Sequence, residues 1–597
     1  MAIRLDARIE VPAVRLGDAA WNVVQWLFLA LIVAVIFAPI LMVVLSAFNT
    51  GPSLGSFKFG LENWSAAWSD AQLVRALGYT ATIVGLRGAL GFVIAIPLAW
   101  LVARTDMPFA RLIEFGFWIA FFMPSVAYIQ GWTFLLEGYR GLVNVWISRL
   151  FGSSPFDVFN FWGIIWVHLM SQNVSALFVL LVLGFRNMDS SMEDAARMSG
   201  ASRSRVLRDI TLPLSRPLLA MLVVVAIIRG MQSYEVEAVL GQPVGIQVYS
   251  TLLVQMLNSE PPRLAEGAAL SILILASILP LIVFQRLYVG RRQYATIGSK
   301  MRTESVKLGA WRWAAFAIVF VILTLQTVVP FFSVLAGSFM VRWGYFSIPE
   351  PWTMRHWATV FDNDQVVSAF VSTLELGFSS GIAAAALCFA IAYIVVRTRF
   401  AGRSVLEFAS WLPWSVPGVL LSLGLLSAVL AVPTLRFLHG TLAILVVAIV
   451  MFCFPLGVQL LKSGLMQVNS ELEEVSTVCG SGRLGTQWRI NVPLLAPMLV
   501  AVGLITFVTA VNEISGVVLL ASTNVRTLAL LSLDYLTGTH TDRETAAVLT
   551  TMMTLLCVGV ALVARSFGIS LGAGATKAPL HSSSTSELGE KALSHGE

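Results

Sequence analysis

The sequence predicts an all-α polytopic membrane protein with about twelve transmembrane helices. Of its 597 residues, 57% are hydrophobic and only 12% are charged, and the mean hydropathy is +0.81. A soluble globule would not cover so much apolar surface, so the lipid bilayer is the expected solvent. Because lipid offers the backbone no hydrogen-bond partners, apolar stretches of about 20 residues predict spanning helices and not sheet.

The apolar stretches fall into two groups of six. Most of the 39 Lys and Arg residues lie on one predicted side of the membrane, and positively charged loops tend to stay in the cytoplasm, so both termini are predicted to be cytoplasmic. The pI near 9.2 reflects this asymmetry and gives no reason to expect a nucleic-acid partner. The predicted spans are 22–46, 74–103, 112–137, 160–185, 217–240, 267–289, 313–340, 366–396, 404–431, 440–461, 497–521 and 545–564.

The second half of the chain repeats the first. Trp64 and Trp357 precede the second span of each half, and Arg104 and Arg397 follow at the same spacing, each before a Thr. Six spans is an even number, so the two units enter the membrane in the same direction and form parallel repeats. The predicted segments are a cytoplasmic N-terminal segment (1–21), the first unit (22–290), a basic cytoplasmic linker (291–312), the second unit (313–567) and a disordered cytoplasmic tail (568–597).

A charged cytoplasmic loop follows the fourth span of each unit. The first loop contains "DAARMSGASRSRVLRDITLP" and the second "EVSTVCGSGRLGTQWRINVP". Each predicts two short helices around a glycine, with Pro213 ending the second helix of the first loop before the next span. The small residues near Gly200 and the apolar positions beyond it predict a docking surface. The candidate residues are Asp194, Ala195, Ala196, Gly200, Ile210 and Pro213 in the first loop, and Glu474, Gly480, Ile490 and Pro493 in the second.

This spacing of acidic-Ala-Ala, Gly, Ile and Leu-Pro resembles the cytoplasmic loop of binding-protein-dependent ABC importer permeases. In that family the loop is a coupling helix seated in a groove of the ATPase subunit. The resemblance therefore implies two copies of an ABC ATPase, an external solute-binding protein and a bacterial inner-membrane location. In the second loop Val475 and Ser476 replace the alanines, which predicts weaker or differently shaped docking.

The fusion of two units in one chain, with "SYEVEAVLG" after the fifth-span core, further resembles ferric-iron permeases. The resemblance implies ferric iron as the solute, with phosphonate, polyamine, thiamine and sugar phosphate as alternatives. No stretch fits the P-loop pattern G-x-x-x-x-G-K-[ST], so ATP hydrolysis is expected in a separate subunit. The chain itself is expected to catalyse no covalent reaction and to need no cofactor.

Six ionisable residues are predicted at membrane depth, where a charge costs about 2.5–3.5 kcal/mol on insertion scales. Glu235 and Glu513 occupy similar positions near the outer halves of the two fifth spans, so they would converge between the units. Carboxylate oxygens are hard ligands that suit a multivalent cation. Alternatively, these carboxylates pair with Arg229 or Arg87 and only fix helix packing. The six residues are Arg87, His168, Arg229, Glu235, Glu375 and Glu513, of which Arg229, Glu235 and Glu513 are the candidates for the translocation path.

Two other classes of protein fit the pattern less well. An ion-coupled secondary transporter is also built from parallel six-span repeats, and would use the intramembrane carboxylates as ion relays. A membrane scaffold or sensor would use the paired loops to hold a cytoplasmic partner without moving a solute. The doubled coupling loop favours the ATP-driven importer over both. No metal-ligand set is assigned from the sequence.

Overall fold

The computed structural model describes residues 15–51, 57–186, 191–290, 306–522, 525–538 and 541–566. Within these ranges the chain is helical and contains no β-strand, only isolated β-bridges, which confirms the all-α prediction. The predicted tail (568–597) and most of the N-terminal segment and linker lie outside the described residues.

The first unit contains thirteen α-helices within its described part. They are α1 (Arg15–Phe48), α2 (Glu62–Ser69), α3 (Ala71–Arg104), α4 (Ala110–Phe122), α5 (Ser125–Leu136), α6 (Leu142–Phe151), α7 (Phe161–Leu169), α8 (Gln172–Arg186), α9 (Ser191–Met198), α10 (Arg203–Val206), α11 (Leu212–Met231), α12 (Tyr249–Leu257) and α13 (Leu264–Gly290).

The second unit contains twelve α-helices within its described part. They are α14 (Trp311–Gln326), α15 (Val328–Ser338), α16 (Arg355–Asp362), α17 (Asp364–Arg397), α18 (Arg403–Trp411), α19 (Gly418–Ala431), α20 (Leu442–Gln467), α21 (Glu471–Val478), α22 (Arg483–Thr486), α23 (Val492–Asn512), α24 (Leu528–Thr537) and α25 (Arg543–Ser566).

Two of the predicted spans are sharply bent. Among the described residues, ten helices are long and apolar enough to cross a membrane, and two bent helix pairs bring the number to twelve. The bends are 97° between α4 and α5 and 114° before α19. Each lies at a proline in an extended conformation, Pro124 (φ −57°, ψ 141°) and Pro417 (φ −55°, ψ 141°). The predicted spans at 112–137 and 404–431 are therefore each divided into two helices at the bend, because proline and its preceding residue leave the helical region there.

The fifth span of each unit begins and ends earlier in the sequence than predicted. The sequence predicts spans at 217–240 and 497–521, but α11 ends at Met231 and α23 ends at Asn512. In the second unit, the Glu513 carboxylate accepts hydrogen bonds from Ser515 Oγ (2.7 Å) and Gly516 N (2.8 Å). Side-chain bonds to the nearby backbone compete with helical bonds and favour a break. In the first unit the chain continues into a π-helix over Glu237–Gly241.

The two units pack on each other through reciprocal glycine–proline contacts. Helix α1 packs on α19 of the second unit, and α15 packs on α5 of the first. A Cβ atom on Gly424 would lie 2.5 Å from Pro39 O, and one on Gly131 would lie 2.6 Å from Pro330 Cα. Only glycine permits backbones to approach this closely. The paired contacts support two equivalent units around a common axis.

A second pair of equivalent contacts shows which residues of α3 and α17 correspond. Thr80 Oγ1 accepts the Tyr249 backbone N–H at 2.9 Å, and Thr373 Oγ1 accepts the Leu528 backbone N–H at 2.9 Å. Thr80 and Thr373 have the same spacing as Arg104 and Arg397. Position-by-position comparison of the two helices therefore rests on structure as well as on sequence.

Candidate functional site

The two cytoplasmic loops have the same backbone geometry. In the first, Gly200 (φ +84°) lies two residues after the end of α9, followed by α10 and a π-helix over Leu207–Thr211. In the second, Gly480 (φ +85°) lies two residues after the end of α21, followed by α22 and a π-helix over Gln487–Asn491. The bonds from Ala201 N to Ala196 O and from Ser481 N to Ser476 O, both 3.0 Å, close the same C-terminal cap. The glycines are therefore required by their left-handed backbone.

The predicted role of Pro213 is wrong. It does not end a helix, because it lies in the first turn of α11, directly after the π-helix. Pro493 has the same place at the start of α23. Proline is tolerated in a first helical turn, where its missing N–H would lack a helical partner in any case. Each loop therefore runs without a stop into the fifth span of its unit.

A carboxylate ties each loop to the second span of its own unit, through an ion pair that is buried in the first unit and half-buried in the second. Arg104 Nη2, at the end of α3, lies 2.6 Å from Glu193 Oε2 in α9, and Thr211 Oγ1 donates to Glu193 Oε1 at 2.7 Å. In the second unit Arg397 Nε lies 2.9 Å from Glu473 Oε1, which also accepts from Asn491 Nδ2 at 3.0 Å.

Sequence analysis missed these two glutamates because each directly precedes the recognised motif. The sequence did contain a sign of them, because both loops have Glu directly before the motif and because Arg104 and Arg397 occupy matching positions in the two units.

The candidate loop residues are accessible to a cytoplasmic partner where their side chains are described. Ala195, Gly200, Glu474, Gly480 and Pro493 are exposed, while Ala196, Ile210, Pro213 and Ile490 are half-buried. The side chain of Asp194 lies outside the described residues.

The two loops differ in the chemistry of their exposed surfaces. Arg205 and Arg208 are exposed in the first loop. The second loop exposes Arg483 as well as Trp488, which is 72% exposed, and the first loop also exposes Met198. Among the described side chains, an exposed aromatic ring therefore distinguishes the second loop.

A buried polar network lies deep in the first unit. Arg87 Nη1 lies 3.2 Å from His168 Nδ1, and His168 Nε2 lies 2.8 Å from Glu237 Oε1. Ser233 Oγ donates to Glu237 Oε2 at 2.6 Å. Arg87, His168 and Glu237 are 7%, 3% and 1% exposed. These groups satisfy one another, so Glu237 holds helices together and does not face an open path.

The three candidates for the translocation path lie close to one another. The guanidinium of Arg229 lies 5.5 Å from the centre of the Trp414 ring. The charge of Glu513 acts on both Arg229 and Glu235. Within the described part of the chain, the half-buried Glu235 carboxylate makes no side-chain hydrogen bond or ion pair. Glu375 is instead exposed on α17, away from this group.

Reciprocal amide side chains join the fifth span of each unit to the bend of the other unit. Gln232 Nε2 donates to Trp414 O at 3.1 Å, and Asn512 Nδ2 donates to Phe122 O at 3.1 Å. Both carbonyls lie at bends, where the interrupted helix leaves them free. Together these bonds tie the two units to each other close to Glu235 and Glu513 in the sequence.

A cavity of about 520 Å³ lies between the units near Glu237–Gly241. Gln130 and Thr133 of α5 line it from the first unit, and Thr537 and Arg543 line it from the second. Gln130 is 1% exposed, its Nε2 donates to Arg543 O at 2.6 Å, and its Oε1 has no protein partner. Arg543 is paired with Glu137 at 2.6 Å, so the cavity is nearly neutral.

Within the described ranges, no group of three or more His, Cys, Asp or Glu side chains is placed to hold a metal ion. Cys388, Cys453 and Cys557 are buried free thiols, and Cys479 is exposed in the second loop.

Comparison with known proteins gives a consistent result. Residues 90–294 and 381–568 match a family model described as binding-protein-dependent transport system inner membrane component. The chain is 26% identical over 471 residues to a ferric transport system permease protein of Actinobacillus pleuropneumoniae, covering 76% of this chain and 66% of that relative, just under two thirds.

Two further relatives extend the comparison. A probable ABC transporter permease protein of Sinorhizobium fredii is 25% identical over 523 residues, covering 85% of this chain and 88% of the relative. A sulfate transport system permease protein of Salmonella typhimurium is 28% identical over 177 residues, covering 28% of this chain and 64% of the relative.

Proposed function

This chain belongs to the family of binding-protein-dependent transport system inner membrane components, and from that premise we propose that its two units form the translocation path of an ATP-driven ferric-iron importer. As a permease of this family it is a multi-pass membrane protein and is not an enzyme by itself. We place it in a bacterial inner membrane with both termini in the cytoplasm, on the strength of its loop charges.

The single observation that carries the proposal is the doubled cytoplasmic loop. Two exposed helix–glycine–helix elements occur at equivalent places, each tied by a carboxylate to a spanning helix of its own unit. A solvated surface loop would not need a buried ion pair to a transmembrane helix. We propose that each loop docks one ATPase subunit, so that two copies act on the chain, and that an external solute-binding protein contacts the outer face.

Iron is proposed because a carboxyl group from each unit lies near the other. Glu513 lies near Glu235, so the pair offers hard oxygen ligands. The name of the Actinobacillus relative supports the same solute.

The test is solute uptake into vesicles that contain the chain, its ATPase subunit and the secreted binding protein. We expect radiolabelled iron to accumulate only when ATP and binding protein are both present. Sulfate in place of iron tests the solute. Uptake that needs no ATPase but follows an imposed proton or sodium gradient would instead establish a secondary transporter, and ATPase binding without uptake of any solute would indicate a scaffold.

The cavity gives a prediction for the entry step. Gln130→Leu is expected to raise the KM for iron uptake by about 5- to 10-fold, because one lost hydrogen bond is worth about 1 kcal/mol. The corresponding position in the second unit is Leu423, which precedes Gly424 as Gln130 precedes Gly131. Leucine therefore fits this place in the fold. Leu423→Gln is the matched control, and an unchanged KM in Gln130→Leu would contradict a role in entry.

A further inference from the structure

Helix α3 carries two buried arginines that bind different parts of the first unit. Arg104 closes its C-terminal end and forms the ion pair with Glu193, in which the two side chains are 1% and 4% exposed. Arg87 lies farther along the same unbroken helix, about 25 Å away at 1.5 Å per residue. One continuous helix, which contains Pro97, therefore joins the cytoplasmic loop to a point deep in the membrane.

The deep end of this connection meets the segment that carries Glu235. Arg87 contacts His168, His168 contacts Glu237, and Glu237 is the first residue of the π-helix that follows Glu235 and Val236. Asn173 Nδ2 also donates to Arg87 O at 3.2 Å, which ties α8 to the same turn of α3. A displacement of α3 would thus act on the Glu235 segment through charged hydrogen bonds, which are short and directional.

The second unit has only the cytoplasmic half of this connection. Arg397 binds Glu473 as Arg104 binds Glu193. At the position of Arg87, however, α17 carries Ser380, whose buried hydroxyl has no hydrogen-bond partner among the described residues. The fold therefore does not need a charged group there, and a buried charge network that packing does not require calls for a functional reason.

We propose that α3 is the connecting rod of the first unit: Arg104 and Arg87 are positioning residues that transmit movement of the Glu193 loop to the Glu235 segment, and the second unit lacks the deep connection. The inference rests on the proposed ATP-driven cycle. It makes the two units unequal, with the first unit driving the opening between them.

The experiment measures the opening directly, without reference to the solute. Spin labels are attached to cysteines at Gln242 and Thr537, which are exposed on opposite sides of the cavity, after Cys479→Ser removes the exposed native thiol. The distance distribution is recorded in the assembled complex with and without a non-hydrolysable ATP analogue. When Arg87, His168 and Glu237 are unchanged, we expect the ATP analogue to shift the distribution of distances between the two spin labels.

The variants are Glu237→Gln, which keeps the shape of the side chain, and Arg87→Met, with Ser380→Ala as the matched control in the second unit. We expect the first two to reduce the nucleotide-shifted fraction at least about 10-fold and the control to leave it unchanged. Glu193→Gln combined with Glu237→Gln should have no more effect than the stronger single variant, because both interrupt one connection.

The outcomes separate the two proposals. If nucleotide shifts no distance even in the unsubstituted complex, the ATP-driven cycle is wrong. If the unsubstituted complex responds and Glu237→Gln responds equally, the connecting rod is wrong. Additive effects of Glu193→Gln and Glu237→Gln would likewise overturn it. Size-exclusion profiles and ATPase binding identify variants that fail to fold, and Glu237→Gln decides the question if Arg87→Met is one of them.

Discussion

Glu235→Gln is expected to lower iron uptake by about 10- to 100-fold, with normal expression and normal ATPase binding. A charged ligand contributes about 1.5–3 kcal/mol, and Gln keeps the size of the side chain while removing its charge. The Glu235 carboxyl receives hydrogen bonds from the backbone at Tyr234 and Glu235, and the amide oxygen of Gln can still accept them. Uptake is measured in vesicles at an iron concentration below the KM.

Glu513→Gln should lower iron uptake by a similar factor. The local fold should be kept, because the amide oxygen of Gln still accepts the hydrogen bonds from Ser515 and Gly516. The matched control is Glu375→Gln, which removes a carboxylate that is exposed on α17 outside the cluster. If Glu235→Gln transports as well as the control, the carboxylates do not belong to the path.

Gly480→Val is the second large effect that we expect. Gly480 has φ +85°, a conformation that costs a side-chain-bearing residue about 1–2 kcal/mol, and valine more because it is β-branched. The second loop would lose its bend, and its affinity for the ATPase should fall by about 10-fold or more, with uptake falling in parallel. Binding of purified ATPase to the detergent-solubilised chain measures the effect.

Gly482→Val provides a control two residues away. Gly482 has φ −68°, and a Cβ atom there meets nothing within 4 Å, so valine fits without strain. A Cβ atom on Gly480 also meets nothing within 4 Å, which excludes a simple clash as the cause of a defect. Equal ATPase affinity in the two variants would show that the bend is not needed. Gly200→Val tests the first loop in the same way.

The sequence predicted the features that depend on residue type at single positions or over short stretches of the chain. Hydropathy gave the spans, and the repeated glycines marked two positions where the backbone requires positive φ. The sequence comparison put Glu235 and Glu513 at similar positions, but the reciprocal pair Gln232 and Asn512 aligns Glu513 with Ser233, so the two glutamates are not equivalent residues.

The bends were not predictable in the same way. Pro124 and Pro417 bend their spans, but Pro39, Pro97 and Pro455 lie inside continuous helices. A proline in an apolar stretch therefore permits a bend without requiring one, and the outcome depends on the partners that receive the freed carbonyls. The bond between Glu237 and His168 escaped prediction for a related reason, because partners far apart in sequence are chosen by packing.

The exchange of amide bonds between Gln232, Asn512 and the bends has a consequence for leakage. If the two units separate, the Trp414 and Phe122 carbonyls lose their amide donors, and lipid cannot supply others. Each carbonyl left without a hydrogen bond costs several kcal/mol. These hydrogen bonds therefore favour the arrangement in which the two units are in contact. Water must flood the gap before it can widen, so an idle complex stays sealed against protons and small ions.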